Sequence, residues 1–118
     1  MRPRILSVDD HDDTVRLLQV LLSSQGYEVS SAVSVAEGLE LAKKKVFDLY
    51  LLDLWFADGT GKELCARIRE FDEETPILFF SGTHPKAQRE AMDCGAQGFV
   101  MKPDFEALRR EIRQALAA

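Results

Sequence analysis

Nowhere in this 118-residue chain does an apolar stretch approach the ~20 residues that a membrane-spanning helix needs. No basic run exceeds Lys43-Lys44-Lys45, which suits the solvated end of a helix. With 15 Lys+Arg against 20 Asp+Glu the net charge is −5, so bulk charge argues against a nucleic-acid or membrane-surface binder. Cysteine is scarce. Cys65 and Cys94 have no neighbouring Cys or His at metal-ligand spacing and read as small core residues in a reducing compartment, which makes a cytoplasmic protein the expectation. The short apolar run Ile5 to Val8, followed at once by two acids, does not fit a secretory signal. Linkers, repeats and low-complexity segments are lacking too. What remains is one globular domain over residues 1–118, with an ordinary 46% of hydrophobic residues and no room for a second core.

Apolar runs at Ile5 to Val8, Leu49 to Leu52, Ile77 to Phe80 and, more weakly, Phe99 to Met101 are too short for helices and do not alternate. Strands buried on both faces of a parallel sheet have this composition. Tyr27 to Ala32 alternates apolar and polar residues and suits an edge strand. Helical spacing fills the gaps. Val15, Leu18 and Leu22 share a face before a stop at Gly26. Ser34 caps a helix carrying Val35, Leu39 and Ala42, with Glu37 completing a capping box. Leu64, Ile68 and Phe71 mark a third helix that must stop before Pro76. Ala87, Ala91 and Cys94 mark a fourth, ended by Gly95. Phe105, Leu108, Ile112 and Leu116 mark a fifth, with Pro103 in its first turn. Five strand-helix units predict an α/β domain: a parallel sheet, right-handed crossovers, helices on both faces, and ligands at the carboxyl ends of the strands.

The strand ends hold the chemistry. Asp9-Asp10 follows the first strand, Asp53 the third, Ser81-Gly82-Thr83 the fourth and Lys102-Pro103 the fifth. In a parallel sheet these groups share one edge. Taken alone, Asp53 reads equally as a turn residue or a nucleophile, and Lys102 as a surface lysine. Together, three mutually repelling carboxylates call for a hard divalent cation such as Mg²⁺. A cation, a lysine, a hydroxyl and a free carboxylate are equipped to accept a phosphoryl group.

This ordered set resembles the response-regulator receiver domain of bacterial two-component systems. The resemblance covers essentially the whole chain, including Gly61 eight residues after Asp53 and the aromatic Phe99 three before Lys102. It implies a doubly wound, flavodoxin-like fold with a five-stranded sheet in the order 2-1-3-4-5. Asp53 would be the phosphoacceptor, taking its phosphoryl group from a histidine kinase or a phosphotransfer protein. Mg²⁺ would be held by Asp10, by Asp9 through water, by Asp53, and by the backbone carbonyl of Trp55. Lys102 would contact a phosphoryl oxygen, and its bond to Pro103 would be cis. Ser81 and Phe99 would be the switch pair, read out on the fourth helix, fifth strand and fifth helix by a downstream protein or a fused output domain. The resemblance also implies a monomer or a phosphorylation-dependent dimer, with no nucleic acid bound by this domain and no membrane contact. Its self-phosphorylation and autophosphatase chemistry would make it a signalling switch, not a metabolic enzyme.

Departures and rivals qualify the resemblance. Ala57 stands where the family usually has proline, followed by Asp58-Gly59, so the loop after Asp53 should differ. Trp55 and Thr83 occupy positions that tune phosphoryl lifetime in relatives. His11, within Asp9-Asp10-His11-Asp12-Asp13, invites a transition-metal reading. With no partner histidine nearby, it is expected to point outward at a helix start. His84 reads as a loop residue. Gly59-Thr60-Gly61-Lys62 fails as a phosphate loop, since Phe56 and Glu63 stand where the pattern needs Gly and Ser or Thr. An aspartate-nucleophile phosphatase of the haloacid-dehalogenase type would need a second Asp at position 55. A flavodoxin-like electron carrier would need a hydroxyl- and glycine-rich loop where Asp9-Asp10 stands. The alternative function is a degenerate receiver that only binds a partner.

Overall fold

The computed structural model describes residues 2–82 and 85–117. Strands β1 (Arg4–Val8), β2 (Glu28–Ala32), β3 (Leu49–Leu52), β4 (Ile77–Ser81) and β5 (Gly98–Met101) alternate with helices α1 (Asp12–Ser24), α2 (Val35–Lys44), α3 (Gly61–Arg69), α4 (Pro85–Met92) and α5 (Phe105–Ala117). All pairings in this sheet are parallel, in the order β2-β1-β3-β4-β5. The parallel sheet expected from the strand-helix alternation, and the doubly wound, flavodoxin-like order implied by the resemblance, are the ones observed.

The unalternating apolar runs are explained by the two layers. Leu6, Val8, Tyr50, Leu52, Ile77 and Phe79 face one core with α2, α3 and Ala91 of α4. Their neighbours Ile5, Leu49, Leu51, Leu78 and Phe80 face the other with α1 and α5. Successive strand residues point to opposite faces, so a sheet covered on both sides needs apolar residues at every position. No helix among the described residues is long and apolar enough to cross a membrane.

Local signals account for most helix ends. Ser34 Oγ accepts the Glu37 N–H at 3.1 Å, while the Glu37 carboxylate reaches back one residue further than expected, to the Val33 N–H. Gly26 and Gly95 end α1 and α4 with φ of +91° and +97°. Three expectations need correction. Phe71 lies beyond α3 and is exposed, because the chain has already turned at Glu70. Cys94 likewise lies just past α4, although it still packs against the core. Pro103 lies before α5 rather than in its first turn. There Asp104 caps the helix, accepting the Ala107 N–H at 3.0 Å. The Lys102-Pro103 bond is cis.

One small element was not anticipated. Trp55–Phe56 and Gly59–Thr60 form an antiparallel hairpin between β3 and α3. It returns the chain so that the Gly61 N–H donates to the Leu54 carbonyl at 2.8 Å. A Cβ on Gly61 would collide with the backbone carbonyl of Asp53 and press on Leu54 Cα. Backbone cannot swing aside as a side chain can, so Gly61→Ala is expected to cost about 1–3 kcal/mol of stability in urea denaturation. An unchanged midpoint would contradict this close approach.

Candidate functional site

The hydrogen-bond ladder runs one residue past the strands and places the carboxylates. The Asp9 N–H donates to the Ala32 carbonyl at 3.0 Å, the Asp53 N–H to the Val8 carbonyl at 2.9 Å, and the Lys102 N–H to the Ser81 carbonyl at 3.0 Å. Because Val8 pairs with Leu52, the residues that follow each of them emerge side by side. Lys102 reaches the same edge from β5 through the register Ser81 with Met101.

Asp9 and Asp53 are 2% and 3% exposed, and Ser81 is as deeply buried. A buried carboxylate needs a charge partner or several donors. Lys102 Nζ supplies one, lying 2.8 Å from Asp9 Oδ2 and 3.3 Å from Asp53 Oδ2. Asp53 Oδ1 accepts the N–H of Leu54 at 2.8 Å. Asp10 is more exposed and faces the same space. His11, Asp53, Trp55, Ser81, Gly82 and Lys102 line a cleft of about 340 Å³. Wider hollows at the opposite edge of the sheet, around Asp48 and Leu116, contain no buried carboxylate.

The donor chemistry fits a divalent cation. Carboxylate oxygens of Asp9, Asp10 and Asp53 and one ring nitrogen of His11 all lie within 4.8 Å of one another. Three carboxylates against the single Lys102 ammonium leave two negative charges uncompensated, which is what one dication supplies.

The structure therefore brings together Asp9, Asp10, Asp53, Ser81 and Lys102, with Trp55 at the rim of the cleft, 57% exposed. Phe99 is set back from it, half-buried on β5, its ring 6.0 Å from that of Phe79. Thr83 and His84, singled out in the sequence, lie outside the described residues. The expectation for His11 is corrected. Its outer face is exposed, but Nδ1 turns inward, 3.0 Å from Asp9, 3.2 Å from Asp10 and 3.3 Å from Asp53.

Comparison with known proteins agrees with this geometry. The family model described as "Response regulator receiver domain" matches residues 5–113. The chain belongs to that family. A transcriptional regulatory protein, ZraR of Klebsiella oxytoca, is 36% identical over 115 residues, covering 96% of this chain and 26% of its own length. DltR of Streptococcus agalactiae is 36% identical over 107 residues, covering 88% of this chain and 46% of the relative. The receiver thus spans about half, or less, of the curated relatives it matches. Among solved structures, a putative response regulator from Chloroflexus aurantiacus superposes with a TM-score of 0.94 at 28% identity, each chain covered completely. A CheY-like receiver domain from Methanospirillum hungatei gives 0.93 at 27% identity, covering 99% of this chain and 95% of that one.

Sequence reasoning missed one residue that holds the site's loop. Asp58, in the hairpin turn, reaches across to α2 and accepts the N–H groups of Val35 and Ala36, both at 3.0 Å. It acts as a second cap on that helix and ties the loop after Asp53 in place. Acidic residues suit helix starts, but nothing in the local sequence names a partner 23 positions away. These two N–H donors hold the Asp58 carboxyl below the usual carboxylate range. A carboxyl that titrates lower when folded adds stability above its unfolded value and loses it as pH falls through its folded one. Thermal melts of wild type and Asp58→Ala should therefore differ by a constant margin near neutrality. The margin should shrink below about pH 4. A margin that does not change between neutrality and about pH 3 would contradict this role for Asp58.

Proposed function

We propose that this receiver accepts a phosphoryl group on Asp53 from the phosphohistidine of a kinase or phosphotransfer protein in the cytoplasm, and so switches a protein-binding surface. The observation that carries the reading is the pairing of buried Asp53 with Lys102 at the mouth of a cleft that still has two negative charges to balance. A carboxylate oxygen of Asp53 attacks phosphorus, the phosphorus–nitrogen bond of the donor breaks, and the departing imidazole keeps the electron pair and takes up a proton. Lys102 lies where it can draw charge from a phosphoryl oxygen while staying bonded to Asp9.

Asp10, Asp53 and the Trp55 backbone carbonyl would hold Mg²⁺ directly, with Asp9 acting through water. When bound, the cation supplies charge neutralisation for the transferring oxygens. The buried Ser81 hydroxyl would turn toward a phosphoryl group on Asp53, and the half-buried Phe99 ring would follow it. That shift between two existing arrangements would reach a downstream protein or fused output domain through α4, β5 and α5. Trp55 stands where a phosphatase would need its acid, which favours a signalling phosphoacceptor over an enzyme acting on a diffusible metabolite.

Incubation with Mg²⁺ and acetyl phosphate should add the mass of one phosphoryl group to the wild type. None should appear on Asp53→Asn or in the presence of EDTA. Lys102→Ala should label about 100-fold more slowly. A wild type that stays unlabelled both by acetyl phosphate and by a phosphorylated histidine phosphotransfer protein would leave a binding-only receiver.

Trp55 should also set the lifetime of the adduct. Its indole at the rim of the cleft shields the phosphoaspartate from water, so Trp55→Asn should shorten the half-life measured from the decay of the labelled mass. An identical decay rate would remove Trp55 from this role.

A further inference from the structure

His11 lines the cleft, and the phosphoryl chemistry leaves it without a task. It is the N-cap residue of α1, yet its side chain makes no capping hydrogen bond. Instead its backbone N–H donates to Asp9 Oδ1 at 2.9 Å, and the extended backbone at φ −90° and ψ 112° turns the ring back over the strand ends. A single N–H can serve one carboxylate well. Nδ1 nevertheless has oxygens of three different residues within 3.3 Å. Oxygens gathered around one point mark the place of a positive charge, and the ring nitrogen is aimed at that point. The rest of the ring faces solvent, the side chain being 63% exposed, so a small rotation meets little resistance and Nε2 is free to carry the ring proton.

Resting on the cation site of the proposed function, we infer that His11 contributes Nδ1 as a further protein ligand there, and that it biases the site from Mg²⁺ toward first-row transition dications. Mg²⁺ favours oxygen donors alone, whereas an imidazole suits borderline ions and strengthens binding along the series from Mn²⁺ to Ni²⁺. The carboxylates of Asp10 and Asp53, with Asp9 behind a water, and one imidazole make a mixed set of that kind. The four atoms already lie within 4.8 Å of one another, so one ion can take His11, Asp10 and Asp53 directly and reach Asp9 through a water.

The test compares wild type with His11→Ala, both in a His84→Ala background so that no other histidine competes. Calorimetric titration with Ni²⁺ should show binding at least about tenfold weaker in His11→Ala, with Mg²⁺ affinity changed less than about twofold. Pulsed electron paramagnetic resonance of the Mn²⁺ adduct should show coupling to a ¹⁴N nucleus that His11→Ala abolishes. Equal Ni²⁺ affinity in both proteins, or no nitrogen coupling in the wild type, overturns the inference. So does a clear gain in Mg²⁺ affinity on removing the ring, which would make His11 a competitor of the cation and not its ligand. Labelling of Asp53 by acetyl phosphate with Mg²⁺ is scored separately. Labelling without nitrogen coupling sinks the His11 inference alone, and coupling without labelling by any donor sinks the phosphoacceptor reading alone.

Discussion

Everything at this site depends on keeping two carboxylates charged inside a sheet edge that offers them little water. Asp9 and Asp53 are almost fully buried, and burying an ion costs several kcal/mol unless partners replace its hydration. Lys102 bridges them from the neighbouring β4–β5 pair, and backbone N–H groups supply further donors. The arrangement is possible because the ladder of a parallel sheet delivers consecutive strand ends to one edge in register. Asp53 is tied to the carbonyl of Val8 and Lys102 to that of Ser81. A slip of one residue in any pairing would turn a charged side chain from the cleft into a core.

The loops that follow these strands are held from a distance. Asp58 docks the hairpin onto the start of α2, and the absence of a Cβ on Gly61 lets α3 begin directly against the backbone of Asp53. On the far side, the Arg69 guanidinium bonds the carbonyls of Asp72 and Gly95 and the side chain of Gln97, joining the end of α3 to the approach to β5. Gln97 in turn accepts the Ile77 N–H. The Cys65 and Cys94 thiols sit beside that junction. Contact with Cys94 and burial push the Cys65 thiol up, so it stays protonated and donates to the Cys94 carbonyl. As the sequence suggested, this is a packing role.

What could be read from the sequence was whatever a short window encodes. Ile5–Val8, Leu49–Leu52 and Ile77–Phe80 are apolar at nearly every position because both faces of each strand are covered, and that alone identifies a parallel sheet. From the sheet follows the shared edge, and from the edge the meeting of Asp9, Asp10, Asp53, Ser81 and Lys102. What escaped was decided by partners remote in sequence. Asp58 looks like any turn residue until α2 lies beside it. Phe71 continues the apolar spacing of α3, but the helix ends before it and leaves the ring exposed. His11 looks like an outward residue at a helix start. Its ring turns in toward three strand-end carboxylates that no short window of sequence brings together.

A shortage of positive charge at these carboxylates is the link between the fold and its use. Had two further lysines closed the charge balance, the cleft would be a static ion-pair network with no call for a ligand. With Lys102 alone, two negative charges remain, the charge that one dication carries. A ligand that binds only the folded form stabilises it, by about 2.7 kcal/mol at a hundred times its dissociation constant. A cation bound here would therefore add to the stability of this edge. The same surplus makes the cleft selective for positive charge. The sheet supplies the rigidity on which that imbalance can persist. Its core strands are buried on both faces, so the carboxylates cannot relax their repulsion by moving apart without breaking a ladder or opening one of the two cores.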